Sequence, residues 1–256
     1  MARRPPVGTL AWTRQTRGLM SSADRIAFLG QAAIYGLATL PDEMRRALGI
    51  RRPRLARLDP SLIKPPDSQL ARQAEELIAE VAPAMVVNHC HRTYAWGAAL
   101  ALHDGLRFDA EVVYLASLLH DLHFADPHAM PQPHCFTLPA AERATSLAAQ
   151  AGWDKARCEL AAEAITLHLN LRPPRNSPEA YAVYAGARLD VAGYRYGDLH
   201  ADALATVLRR HPRLQLKRES APMFEAQAQA NPGSRDHFYT RYLAVNWFVR
   251  RTPFEE

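Results

Sequence analysis

Apolar residues recur three or four positions apart along most of the chain, and proline or glycine interrupts the pattern at intervals. "DSQLARQAEELIAEV" (67–81) reads as a helix that stops before Pro83, and "AMVVNHCHRTYAWGAALALHDG" (84–105) as a second that stops at Gly105. "DAEVVYLASLLHD" (109–121) opens on Asp109, a good N-cap, with Glu111 in its first turn. "LPAAERATSLAAQAG" (138–152) and "DKARCELAAEAITLHLN" (154–170) follow. In "SPEAYAVYAGARLDVAG" (177–193), Ser177 is placed to cap, Pro178 to begin and Gly193 to end a helix. "ADALATVLRRH" and "SRDHFYTRYLAVNWFVRR" complete the set. Runs of period-2 alternation are nearly absent, so the pattern predicts an all-α fold.

The first 66 residues differ in texture. "SADRIAFLGQAAIYGLATL" predicts one helix and "LPDEMRRALGI" a short second one, with Pro41 early and Gly49 late. "RRPRLARLDPSLIKPPDS" is proline-rich and basic and reads as a linker. The expected organisation is an N-terminal helical and coil extension (1–66), a helical domain (67–220) and a C-terminal helix packed on it (221–256).

Composition narrows the function classes. The chain has 256 residues and is 48% hydrophobic, enough for a substantial core. No apolar run approaches the ~18 residues of a membrane span, and no apolar stretch follows the arginines of "MARRPP", so neither membrane nor export is expected. Three widely spaced cysteines, Cys90, Cys135 and Cys158, suit a reducing cytoplasm. A net charge of +5 from scattered basic residues, Arg209, Arg210, Arg213, Lys217 and Arg218 among them, reads as a solvated surface, with no nucleic-acid partner expected.

The chemistry sits in four predicted helices, each with polar groups on an apolar face. They are His89 in "VVNHCHRTYAWG", the adjacent His120–Asp121 in "LASLLHDLHF", His168 in "EAITLHLNL" and Asp190 in "GARLDVAG". Burying all of these without compensation is costly, and a divalent cation would compensate, since it neutralises carboxylates and uses imidazole lone pairs. His89 and His120 lie 31 residues apart (120 − 89), and Asp121 and Asp190 lie 69 apart (190 − 121), gaps that suit separate helices of a bundle rather than a zinc finger. Arg92 and Trp96 share the His89 face at helical spacing, so both are candidates for contacting a small-molecule substrate; Arg92 is equally placed to orient a ligand carboxylate. His123, His128 and His134 fall in a loop that could cover the site, with His123 a further substrate candidate. Arg188, two positions before Asp190, reads as a structural salt-bridge residue.

A first histidine, an adjacent His-Asp pair and a distant aspartate resemble the HD-domain superfamily of metal-dependent hydrolases. "NHCHRTYAWG", "LASLLHDLHF", "EAITLH", "GARLDVAG" and "RRHPRLQLK" look closest to its cyanamide hydratase-like branch. Leu122 and His123 stand where that family often has glycine. The resemblance implies an HD-type helical bundle with His89, His120, Asp121 and Asp190 as ligands to one divalent transition metal, zinc first, with iron, manganese, cobalt or nickel also compatible. It implies hydration or hydrolysis of a small substrate such as cyanamide. Asp121 and His168 are the catalytic candidates: Asp121 can both ligate and accept a hydrogen bond from the metal's water, and His168 can be a further ligand, a group that orients a ligand or the general acid. Phosphate-ester hydrolysis and dinuclear-iron oxygenation are the alternatives within the superfamily. The aromatic C-terminal helix is suited to dock on its own core or on a second subunit.

Overall fold

The computed structural model describes residues 4–50, 56, 64–126, 128, 133–172 and 174–256. Most of the expected linker (51–66) and the loop residues around His128 fall outside them. Among the described residues the chain forms twelve α-helices and no sheet; the β pairing is confined to two isolated bridges, Leu19 with Ser234 and Ala56 with Leu199. The all-α expectation holds. No helix among them is long and apolar enough to cross a membrane.

The site rests on a bundle of six helices: α3 (Gln69–Val81), α4 (Ala84–His103), α5 (Ala110–Leu119), α6 (Thr137–Gln150), α7 (Lys155–Leu167) and α8 (Pro178–Ala192). Local chemistry fixes their ends. Asp109 caps α5 by accepting from the backbone N–H of Glu111 and Val112, and Ser177 caps α8 ahead of Pro178. Gly193 ends α8 at φ 69°, the left-handed conformation that costs glycine least.

Helices α4 and α8 pack closest. A Cβ on Gly97 would lie 2.0 Å from the Ala182 carbonyl oxygen, and one on Gly186 would lie 1.9 Å from that of Thr93. Glycine at both positions lets the two backbones touch. That contact brings His89 and Arg92 on α4 against Asp190 on α8.

The flanking segments pack against this bundle. Helix α1 (Leu10–Thr16) lies on α7, and α2 (Ser22–Ala47) follows it. Trp12, Met20 and Phe28 from the first 66 residues join Leu171 and Phe238 in a second, smaller core. After α9 (Ala201–Arg210) come α10 (Leu216–Ala230), α11 (Arg235–Tyr242) and α12 (Val245–Arg250).

Three elements differ from the sequence reading. Helix α2 runs through Pro41 where a break was predicted. Proline removes the bond to the carbonyl of Leu37, but Leu37 is 73% exposed, so water can satisfy that carbonyl. Helix α10 was not predicted; Pro222 and a polar sequence hid its period. The expected single C-terminal helix is two, because Ala244 turns to φ 50° between α11 and α12.

Candidate metal centre

Two histidines reach the site by one local device. His120 follows the last residue of α5, and its Nδ1 lies 2.7 Å from the Ser117 carbonyl oxygen. His168 follows the last residue of α7, and its Nδ1 lies 2.6 Å from the Ile165 carbonyl oxygen. Carbonyls in the last turn of a helix have no intrahelical partner, so each accepts the ring N–H. Both tautomers are thereby set, and each Nε2 carries a lone pair.

His89 reaches the same tautomer by a tertiary route. Its Nδ1 lies 2.7 Å from Asp190 Oδ2, and a carboxylate can only accept. Its Nε2 lone pair faces the Nε2 of His120 at 3.2 Å. Asp121 Oδ2 completes a triangle, 3.5 Å from His89 Nε2 and 3.4 Å from His120 Nε2. Two lone pairs and a carboxylate oxygen at such range repel unless a cation lies among them. Atoms each about 2.05 Å from a tetrahedral ion lie about 3.3 Å apart, so the triangle has the edge length such an ion requires. His89, His120 and Asp121 therefore could hold a metal ion, and they are the group of that kind among the described residues. His168 Nε2 stands 3.7 Å from the other Asp121 oxygen.

Asp190, expected among the ligands, lies behind His89. Its Oδ2 accepts from His89 Nδ1 at 2.7 Å and from Arg92 Nε and Nη2 at 2.9 and 2.7 Å. Its Oδ1 accepts from Arg213 Nη1. Burial opposes the Asp190 charge, but Arg92 and then Arg213 outweigh it and hold the carboxyl well below the usual carboxylate range. A carboxylate behind a histidine fixes that ring and raises its basicity, and Asp190 stands in that position behind His89.

Arg92 and Trp96 were expected at a substrate, and both are fully buried away from the cavity. Arg92 is occupied by Asp190 and by the carbonyls of His211 and Pro212 at 2.8 and 3.0 Å. Of its two proposed roles, it takes the one of holding a carboxylate. Trp96 stacks on Phe254 with ring centroids 5.0 Å apart. His123 is partly buried on the turn after Asp121 and does not line the cavity. His128 is exposed and His134 is buried in its loop, and neither joins the group of three.

Sequence reasoning missed two residues. Arg213 looked like solvated surface charge but is 2% exposed, and its Nη1 donates to both the carboxylate and the main-chain carbonyl of Asp190. Its signal was "HPR" in a turn that wraps back on α4. Asp236, on α11, lines the same cavity as the three histidines and Asp121. Both its carboxyl oxygens are buried without a hydrogen-bond partner. Burial first, then the charge of Asp121, raises its pKa well above the ordinary range. A lone carboxylate in the aromatic stretch "RDHFYTRY" was the available hint.

Arg188 also lines the cavity. It donates to the Asn170 carbonyl and the Tyr239 hydroxyl and lies over the rings of Tyr35 and Tyr184. Among the described residues it pairs with no carboxylate, contrary to the expected salt bridge.

Comparison with known proteins adds a direction. No family model matches the chain. Two curated proteins of Saccharomyces cerevisiae, the cyanamide hydratases DDI2 and DDI3, each align over 192 residues at 26% identity. The alignments cover 70% of this chain and 80% of either relative. The chain is similar to cyanamide hydratases. That similarity supports an enzyme of hydratase or hydrolase type.

Proposed function

We propose that this protein is a metal-dependent hydratase of the HD type that adds water to a nitrile-class substrate, cyanamide being the simplest. The observation that carries the reading is the 3.2 Å approach of two imidazole lone pairs, with Asp121 beside both. His89, His120 and Asp121 would hold one divalent ion, zinc by the nitrogen and oxygen donor set. Such an ion supplies Lewis acidity and lowers the pKa of water to about 7.

The chain's own residues account for the proton movements. Asp190, charged and clamped by two arginines, keeps the Nδ1 hydrogen on His89 and so keeps Nε2 free to ligate. Asp121 Oδ1 and His168 Nε2, 3.7 Å apart, face one another across the space where attacking water would lose a proton. His168 is held neutral, because burial first and then the neighbouring His120 push its pKa well below the ordinary value. Its Nε2 lone pair is therefore free to accept a hydrogen bond from the attacking water. Asp236, whose pKa is raised well above the ordinary range by burial and then by Asp121, faces the same cavity and is suited to deliver a proton to the nitrile nitrogen. Water's oxygen bonds to the nitrile carbon, one proton passes to His168 or Asp121, and one arrives at nitrogen from Asp236, giving isourea. Transfer of the remaining hydroxyl proton to that nitrogen then completes the amide, and the proton taken from water returns to Asp236. Cyanamide would thereby become urea.

Phosphate-ester hydrolysis is the second reading, and Arg188 favours it as a cavity-lining cation without a carboxylate. Arg92 and Arg213 are already committed to Asp190, so few donors remain for a phosphate.

The test is elemental analysis and urea production from cyanamide, wild type beside Asp121→Ala. About one metal per chain with turnover in the wild type, and loss of both in the variant, is expected. Unchanged metal content in Asp121→Ala would sink the assignment.

A further inference from the structure

The three histidines and Asp121 form the polar end of the lining of a cavity of about 1180 Å³, with neighbouring polar atoms 3.2–3.7 Å apart. A substrate the size of cyanamide, three heavy atoms, displaces roughly 90 Å³ at about 30 Å³ per water-sized unit, so the cavity of about 1180 Å³ exceeds it more than tenfold. The excess volume is lined mainly by apolar and aromatic side chains, with Arg188, Arg195 and Arg251 among them. Near the polar end it is walled by Phe124, Phe136 and Val191. Its rim carries Leu40 and Met44 from α2 and Trp247 and Phe248 from α12, each about half exposed. Large apolar side chains left half exposed around an opening are unfavourable in water unless they receive apolar surface. Among the lining residues His89, His120, Asp121 and His168 cluster together, and Asp236 lines the same cavity.

We infer that the substrate is an elongated, neutral nitrile whose hydrocarbon chain fills this cavity while its cyano group reaches the histidine end. The inference rests on the hydratase reading above and assigns its substrate class. A small nitrile uses only the polar end, whereas each added methylene is withdrawn from water. Burying one methylene is worth about 0.8 kcal/mol, close to a four-fold gain in kcat/KM.

The experiment measures kcat/KM of the metal-loaded protein for cyanamide and for the series acetonitrile, butyronitrile and hexanenitrile. Calorimetric titration with hexanamide and acetamide runs beside it. A rise of about four-fold per methylene along the series is expected, with hexanamide binding far more tightly than acetamide. Gly36 lines the cavity, and a Cβ there meets open space, so Gly36→Trp should enter the cavity and flatten the series. Turnover of cyanamide with a flat or falling nitrile series would overturn the inference and leave the hydratase reading standing. No turnover of any nitrile, with tight hexanamide binding, would overturn the hydratase reading and support an apolar-chain occupant. No turnover and no preference for hexanamide would overturn both.

Discussion

Asp190 and His89 are joined at 2.7 Å across 101 residues of sequence. The bond fixes the tautomer of the histidine, and two buried arginines fix the carboxylate. Its consequences separate this aspartate from Asp121, which has the same side chain but a different surrounding.

Asp190→Asn should be strongly destabilising. Arg92 and Arg213, both fully buried, would lose the carboxylate they share, and removing one partner of a buried ion pair costs about 3–5 kcal/mol. Asp121→Asn removes a charge whose close neighbours are the lone-pair imidazoles of His89, His120 and His168, so metal-free stability should hold or rise while metal is lost. Urea denaturation of the two variants, each metal-free, checks the contrast. Equal destabilisation would contradict it.

Gly186→Ala should separate α4 from α8. The added methyl would lie 1.9 Å from a backbone oxygen that cannot swing aside. Overpacking of this kind costs about 1–3 kcal/mol, more where only backbone can yield. Because His89 and Asp190 lie on opposite sides of this contact, metal affinity should fall with stability. A variant with wild-type melting temperature and metal content would show that the helices have slack.

Acid should destabilise the metal-free protein through its buried histidines. His91, His120, His123, His168 and His211 all have lowered pKa values, with burial the first cause in each. His211, stacked on His91, is pushed down to about 3. In the unfolded chain each takes up a proton near pH 6.5. Between that value and the folded one the unfolded state binds more protons, so stability is full above about pH 6.5 and falls as pH drops. Urea midpoints at pH 7.5, 6 and 5 measure this, and His211→Gln should flatten the slope. A midpoint that rises on acidification would refute it.

Asp236→Asn should trade activity against stability. The buried carboxyl is unpaired and its folded pKa is raised, so its unfavourable effect is absent at low pH and grows as pH rises above its unfolded value near 4. Asparagine removes the ionisation, so the urea midpoint at pH 8 should rise. It also removes the acid, and nitrile hydration should fall by about 10²–10⁴-fold. Full activity in this variant would remove Asp236 from the proton path.

Much of the framework was legible in the sequence because its causes are local. Helical period, Asp109 and Ser177 as caps, and Gly193 as a stop depend on residues within one or two turns. The same holds for His120 and His168, whose Nδ1 partners lie three residues back. Pro41 misled, because whether a lost backbone bond matters depends on solvent around Leu37, which is not a local property.

What the sequence by itself determined is an all-α chain bearing histidines and carboxylates on the inner faces of four helices. Tertiary structure alone decided how those groups are used. It set two lone pairs at 3.2 Å, moved Asp190 behind His89, drew Arg92 and Arg213 inward to hold it, and left Asp236 unpaired in an apolar cavity. Residue type and spacing specify what a side chain can donate or accept. Which partner it meets, and how much water remains, follow from backbone contacts such as Gly97 and Gly186 that join helices distant in sequence.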